Sequence, residues 1–300
     1  WMDWQLNVDC SVSELLARFN QTDRLTRLLW RPLCIAALNT PPDRASAKVF
    51  LNVLRDSLAA KRQASDMLLP RVDLSALFPD AALAYVEKHG GSVMHGAHVR
   101  QLSSDNGRWR VQADDIDALH DEVIVATAAA HAQALLSGLA DVPSYDYEPI
   151  TTCYLQYDAG VALPHPFLAL ADDASIRHWG QFVFDRGQLD AAQAGLLAVV
   201  VSASDEAIAE GHEALLADVG AQLAQVLRMP ALAHPVWSKA VTEKRATFAC
   251  VPDLQRPDNR TSQQGLWLAG DYTQGDYPAT IEGAVRSGLR AAGMLLKLDA

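Results

Sequence analysis

The chain has only four cysteines in 300 residues, Cys10, Cys34, Cys153 and Cys250, and none lies near another in sequence. That spacing excludes a C-x-x-C motif and a zinc framework, and reads as reduced, mostly buried thiols. The nine histidines are equally scattered, and their nearest pair, His95 and His98 on an expected strand, does not amount to a metal site. No apolar run approaches the roughly 18 residues that a membrane span requires. Basic side chains number 25 against 36 acidic ones, and no basic block offsets the net charge of −11, which argues against a nucleic-acid partner. Internal repeats, low-complexity tracts and linkers are absent as well. The opening Trp1-Met2-Asp3-Trp4 is neither an initiator methionine nor a signal peptide, so the chain is expected to be a fragment of something longer.

What is present suffices for a sizeable core, with 50% of residues hydrophobic. Apolar spacing of three and four predicts helices over Val12–Phe19, Asp23–Leu38, Asp43–Ala60 and Leu74–His89, with Asp43 as an N-cap after the Pro41-Pro42 stop. The period then changes. Residues 92–102 and 106–113 read as two strands joined through an Asn-Gly turn, and Val123–Ala126 as a buried strand passing into a helix. Short β-rich runs follow from about residue 146, then a helix over Ser204–Val226 and a further strand over 233–241. The fold class expected is mixed α/β.

The densest cluster of special residues lies at 265–288, GLWLAGDYTQGDYPATIEGAVRSG. Gly265–Ala269 reads as a buried strand with Gly270-Asp271 at its carboxyl end, where α/β proteins bind ligands. Gly270 admits close approach of a ligand to the backbone, and Asp271 offers acceptors to sugar hydroxyls. Pro278 suits the first turn of a following helix. Free N–H groups around Thr280 and Ile281 then favour an electron-rich carbonyl or an anion. The helix is apolar at Ile281, Ala284, Val285, Gly288, Ala292, Leu295 and Leu296, with a second row of small residues at Gly283, Ser287 and Ala291.

This string closely resembles the carboxyl-terminal flavin signature of the amine oxidase and phytoene desaturase superfamily. The resemblance implies that Gly270 and Asp271 meet the pyrophosphate and ribityl chain of FAD, and that Thr280 and Ile281 meet the pyrimidine carbonyl. Upstream, PRVDLSALFPDAALAYVEKHGGSVMHGAHVRQL looks like the segment leading to the strand whose backbone pairs with adenine, here around Val99. The stretch LLWRPLCIAALNTPPDRASAKVFLNVLRDSLAAKRQASDMLLPRVDLSALFP resembles the squalene-associated branch, the hydroxysqualene dehydroxylases of hopanoid biosynthesis. One departure stands out. The family's amino-terminal G-x-G-x-x-G turn has no counterpart here, and Gly90-Gly91 reads only as a turn. That half of the cofactor cradle is expected upstream of Trp1, so the truncated chain is expected to retain little FAD.

The resemblance implies an FAD-dependent oxidoreductase of isoprenoid metabolism that removes the hydroxyl of hydroxysqualene reductively. It further implies an incomplete FAD-binding domain, 65–145 with 243–300, interleaved with a substrate domain, 1–64 with 146–242. A general acid is required because hydroxide leaves poorly. Asp66, Asp73 and Tyr277 are candidates by position, each equally readable as a cap, surface or packing residue. Leu68 and Leu69, and the apolar run 28–38, are candidates for a substrate channel or for ordinary core. The alternatives are a flavin amine oxidase or carotenoid-type desaturase, and a non-catalytic lipid- or partner-binding module. A cytoplasmic location with peripheral contact to the inner membrane is expected, with self-association through an exposed sheet edge.

Overall fold

The computed structural model describes residues 4–114 and 116–297, so Trp1-Met2-Asp3 lies outside the described residues. The chain divides into two compact units, Trp1–Ser65 with Asp146–Asp253, and Asp66–Tyr145 with Leu254–Ala300.

The helical start of the first unit is more broken than periodicity suggests. Val12–Arg18 is closed by a capping box between Ser11 and Glu14. The expected helix 23–38 holds a π-type stretch, Thr26–Trp30, before the α-helix Arg31–Leu38. Pro32 explains the break: it has no N–H to give and its ring crowds the carbonyl four residues back. The expected cap Asp43 is not one. Pro41 closes a turn by accepting from the N–H groups of Arg44 and Ala45, and Ser46 caps Ala47–Ser57 instead by accepting from Val49 at 3.1 Å. Within the run 28–38, Leu28 and Leu29 are exposed while Cys34, Ile35 and Leu38 are core.

The second unit begins with Leu74–Leu77 and Pro79–Lys88, one expected helix split at Phe78 because the residue before a proline avoids helical backbone. Strands β1 (Val99–Asp105) and β2 (Arg108–Ala113) form an antiparallel hairpin. Asn106 and Gly107 both take positive φ at its tip, 51° and 81°, as a two-residue hairpin turn demands. Strand pairing starts at Val99, later than residue 92. A third strand, β3 (Ile116–His120), extends the sheet in the order β1-β2-β3. This five-residue strand is not among those expected from the sequence, and its Asp117 meets Arg110 of β2 at 2.9 Å. Then β4 (Val123–Val125) leads to the helix Ala129–Leu135.

The core of the first unit is a five-stranded sheet built from β5 (Tyr147–Gln156), β6 (Phe167–Ala169), β7 (Phe182–Asp185), β8 (Leu196–Ser202) and β9 (Trp237–Phe248), in the order β6-β7-β8-β5-β9. Cys153 and Leu155 of β5 and Leu197, Val199 and Val201 of β8 alternate onto one buried face. Leu215, Val219 and Leu223 cover that face from the helix His212–Val226 at four-residue spacing. This helix starts later than Ser204 because Gly211 stands at φ 93°. Strand β9 continues to Phe248, paired with Tyr147, and so residues 243–253 belong to the first unit rather than the second.

The chain returns to the second unit with β10 (Leu266–Leu268), parallel to β4, and ends in the helix Ile281–Leu296.

Asn39 ties the helical start of the first unit to its sheet. It ends Arg31–Leu38 in left-handed backbone at φ 46°. Its amide donates to the Glu148 carbonyl at 3.2 Å and to the Thr247 hydroxyl at 2.9 Å, while its Oδ1 accepts from Ala203 N–H at 2.8 Å. Asn39→Ala strands buried partners and places a Cβ residue in a disfavoured conformation, so about 2–4 kcal/mol of stability should be lost in urea unfolding. Asn39→Gly should recover only the backbone share, roughly 1 kcal/mol. A cost below about 0.5 kcal/mol for Asn39→Ala would remove this tie from the account.

Candidate functional site

Strand β10 is buried along its length, and Ala269 N–H closes the parallel ladder on the Val125 carbonyl at 2.9 Å. Beyond that bond the chain leaves the sheet at its carboxyl end, the side on which parallel strands open a ligand crevice. Gly270 turns it at φ 155°, and a Cβ built there would lie 2.5 Å from the Tyr272 ring. Glycine is therefore required sterically.

Asp271 is half-buried. Burial raises the pKa of its carboxyl, against which the Tyr272 amide and the Arg256 charge pull downward. Arg256 also laces the turn, donating from Nη1 to the carbonyls of Asp271 at 3.3 Å and Tyr277 at 2.8 Å. A cleft of about 290 Å³ opens beside it, lined by Arg256, Asp271, Gln274, Tyr277, Arg286 and Leu289 among others.

Thr280 is the N-cap of the terminal helix. Its Oγ1 accepts from Gly283 N–H at 3.1 Å, and its carbonyl takes the first intrahelical bond, from Ala284 at 3.0 Å. The N–H groups of Ile281 and Glu282 precede that ladder and lie at the positive end of the helix. Pro278 is not in the first turn as expected. It lies ahead of the cap, where its carbonyl accepts from the Thr280 hydroxyl at 3.2 Å.

The structure gathers Gly270, Asp271, Tyr277, Pro278, Thr280 and Ile281 along one strand–turn–helix segment. Val99 is in the same unit on a different sheet, at the start of the edge strand β1. Asp66 is exposed, and exposed Asp73 caps Leu74–Leu77 by accepting from Ala76 N–H at 2.9 Å. The Tyr277 ring lies under Arg286, 4.9 Å from its guanidinium carbon. Leu68 is 90% exposed and Leu69 partly so. Sequence reasoning did not find Arg256, whose role is a contact with backbone carbonyls 15 and 21 residues away. Among the described residues no cluster of three or more His, Cys, Asp or Glu is placed to hold a metal, and no helix is long and apolar enough to cross a membrane.

The donor and acceptor set fits part of a flavin dinucleotide. Two amides at a helix start suit an electron-rich carbonyl, and a half-buried carboxylate suits sugar hydroxyls. A mixed α/β fold with such a segment beyond a parallel strand defines a cofactor-binding class of protein. The chain belongs to the flavin containing amine oxidoreductase family, which matches residues 13–296. It is 32% identical over 272 residues to the hydroxysqualene dehydroxylase of Rhodopseudomonas palustris, covering 88% of this chain and 61% of that one. It is 26% identical over 306 residues to a zeta-carotene desaturase of Synechococcus elongatus, covering 91% and 63% respectively. The chain thus spans about three fifths of the length of these curated relatives. Cyclohexylamine oxidase from Brevibacterium oxydans shares the fold, with a TM-score of 0.62, 12% identity, and coverage of 98% of this chain and 70% of that one.

A charge held in a partly dry place destabilises the folded chain. For a carboxyl whose pKa is raised on folding, that cost is absent at low pH. It sets in as pH rises through the ordinary carboxylate range and is complete above the raised pKa. Asp271→Asn should therefore stabilise the chain slightly at neutral pH, by less than about 1 kcal/mol since solvent still reaches the group. The gain should vanish near pH 3. Thermal unfolding of both proteins across pH 3–8 checks the sign, and a destabilised variant at neutral pH contradicts it.

Proposed function

We propose that this chain is part of an FAD-dependent oxidoreductase of isoprenoid metabolism that reductively removes the hydroxyl of hydroxysqualene. The observation that carries the reading is the segment from β10 through Gly270-Asp271 to the capped start of Ile281–Leu296, in a chain belonging to a flavin family. The relatives named hydroxysqualene dehydroxylase favour the substrate.

When bound and reduced by an external reductant, a flavin would supply the hydride that replaces the leaving hydroxyl on an allylic carbon. The chain's own residues do the rest. Asp271 accepts from ribityl hydroxyls, and Gly270, having no Cβ, lets the pyrophosphate approach the turn. The Ile281 and Glu282 amides hold the pyrimidine carbonyl, with Thr280 fixing the helix start and Pro278 the approach to it. Val99 offers the backbone of an edge strand to adenine. Hydroxide leaves as water only if a proton reaches it. Of the three candidates, Asp73 is engaged as a cap and Asp66 stands exposed, so we assign the donor to Tyr277, beside the cleft. Exposed Leu68 and partly exposed Leu69 supply apolar surface for a thirty-carbon chain without charge. We assign residues 66–145 with 254–300 to the cofactor and the remainder to the substrate.

A second reading, a carotenoid-type desaturase, is favoured by the relatives named zeta-carotene desaturase. Product analysis separates the two. The whole enzyme of which this chain is part, supplied with FAD, a reductant and hydroxysqualene, should yield squalene, whereas new conjugated double bonds from a polyene substrate would favour the desaturase. Binding of either lipid without turnover would point to a non-catalytic module.

Asp271→Ala should weaken FAD binding by about 1.5–3 kcal/mol, the worth of a hydrogen bond to a charged group. Flavin fluorescence titration reads it, and an unchanged affinity would reduce Asp271 to a turn residue. Leu68→Asp lies on exposed surface and should leave the unfolding midpoint within about 0.5 kcal/mol of the parent while suppressing turnover. Undiminished turnover would take this segment out of the substrate path.

A further inference from the structure

We propose that Ser287 and Thr273 are the positioning residues of the Gly270–Asp271 turn, through a hydrogen-bond circuit that holds both peptide groups of Gly270. The geometry stands by itself, while its consequence for ligand binding rests on the flavin reading.

Ser287 lies on the terminal helix, and its hydroxyl has one hydrogen to give and two lone pairs. Gly270 N–H donates to its Oγ at 3.0 Å, and the Asn259 side-chain amide donates at 2.8 Å, closer than the 3.2 Å at which the same nitrogen meets the Ser287 carbonyl. That the Asn259 atom is nitrogen follows from its second partner: it is 2.8 Å from the Leu268 carbonyl oxygen, which can only accept. Both lone pairs of Ser287 are thereby used. Its own hydrogen goes to the Thr273 hydroxyl, 2.6 Å away. Having accepted that hydrogen, Thr273 gives its own to the Gly270 carbonyl at 3.0 Å, a carbonyl that also accepts from Thr273 N–H at 3.2 Å.

The circuit closes on one residue. Gly270 is gripped at its N–H by the terminal helix and at its carbonyl by the following loop, so both peptide planes flanking it are fixed. The second of these planes carries Asp271. Asn259, Thr273 and Ser287 are 3%, 2% and 0% exposed, so water cannot substitute for a lost member. A glycine at φ 155° has no side chain to hold it, and without the circuit the aim of Asp271 and of the Gly270 peptide would wander. The alternative role for Ser287, a small residue that merely lets the helix approach, predicts that alanine serves equally well.

The test uses the 1–300 chain. Thr273→Val removes the donor to Gly270 at nearly constant shape, Thr273→Ser restores it, and Ser287→Ala removes the central hydroxyl without adding bulk. Amide hydrogen exchange over residues 268–284 is measured for each, with the 99–113 hairpin as internal control, alongside FAD titration. The expected result is exchange of the Gly270 and Thr273 amides faster by about tenfold or more in Thr273→Val and Ser287→Ala, the cost of an unmet buried group. The hairpin should not change, FAD affinity should fall in parallel, and Thr273→Ser should return both readouts to the parent values. Parent-like protection in both Thr273→Val and Ser287→Ala would overturn the proposal. So would a loosened turn that leaves FAD affinity intact while Asp271→Ala lowers it. If the turn loosens and neither it nor Asp271→Ala alters FAD affinity, the positioning role stands and the flavin reading fails. Exchange needs no bound flavin, so it decides the positioning role even for a weakly binding chain.

Discussion

The turn beyond β10 depends on how closely the terminal helix approaches Gly270. Two side chains of that helix are fully buried, Ser287 and Ala291, and both are small. A larger residue at either place would hold the helix away from the strand, beyond the 3.0 Å reach of Ser287 to the Gly270 amide. Close packing and hydrogen bonding are therefore one constraint here. Short side chains bring the backbones together, and the one short side chain with a hydroxyl then joins them.

The sequence offers two rows on this helix, an apolar one and a row of small residues that would permit close packing. Of the apolar row, Ile281, Val285 and Leu296 remain exposed, Ile281 at 71%, and the fully buried side chains are Ser287 and Ala291 of the small row. Hydrophobic periodicity finds the surface that prefers to leave water, which differs from the surface a strand approaches most nearly. Elsewhere periodicity served well. The alternation in β5 and the stripe Leu215-Val219-Leu223 were legible because a single burial gradient sets both. Element ends were less so, since they turn on single backbone events: Pro32 and Pro79 break helices, Gly211 delays one, and β9 runs on past residue 242 because its pairing with β5 continues to Tyr147.

The site shows the same division. Gly270, Asp271, Thr280 and Ile281 could be singled out because they are contiguous and each residue type has a local meaning at a strand end or a helix start. Arg256 and Asn259 could not, because they act on backbone groups far along the chain. Asn259 reaches Leu268 and Ser287, and Arg256 spans from Asp271 to Tyr277. A side chain that serves another residue's carbonyl leaves no periodic or compositional trace. Only the folded geometry reports it.

Asp271 brings these strands together, because its surroundings work against its own charge. Burial pushes its carboxyl toward neutrality, while the Tyr272 amide and Arg256 favour the charged form. A residue selected only for a stable turn would have no reason to carry that conflict. Asparagine offers similar local turn bonding without a charge to desolvate. The conflict is resolved if an external group donates to the carboxylate, since each added donor favours the charged form and repays part of the lost hydration. On the proposed flavin reading, rigid backbone on one side and an under-solvated acceptor on the other would form a preorganised half-site. Its polarity would be set before a ligand arrived, because the Tyr272 and Asp271 amides already bond the carboxylate and the neighbouring Gly270 is held at both of its peptide groups.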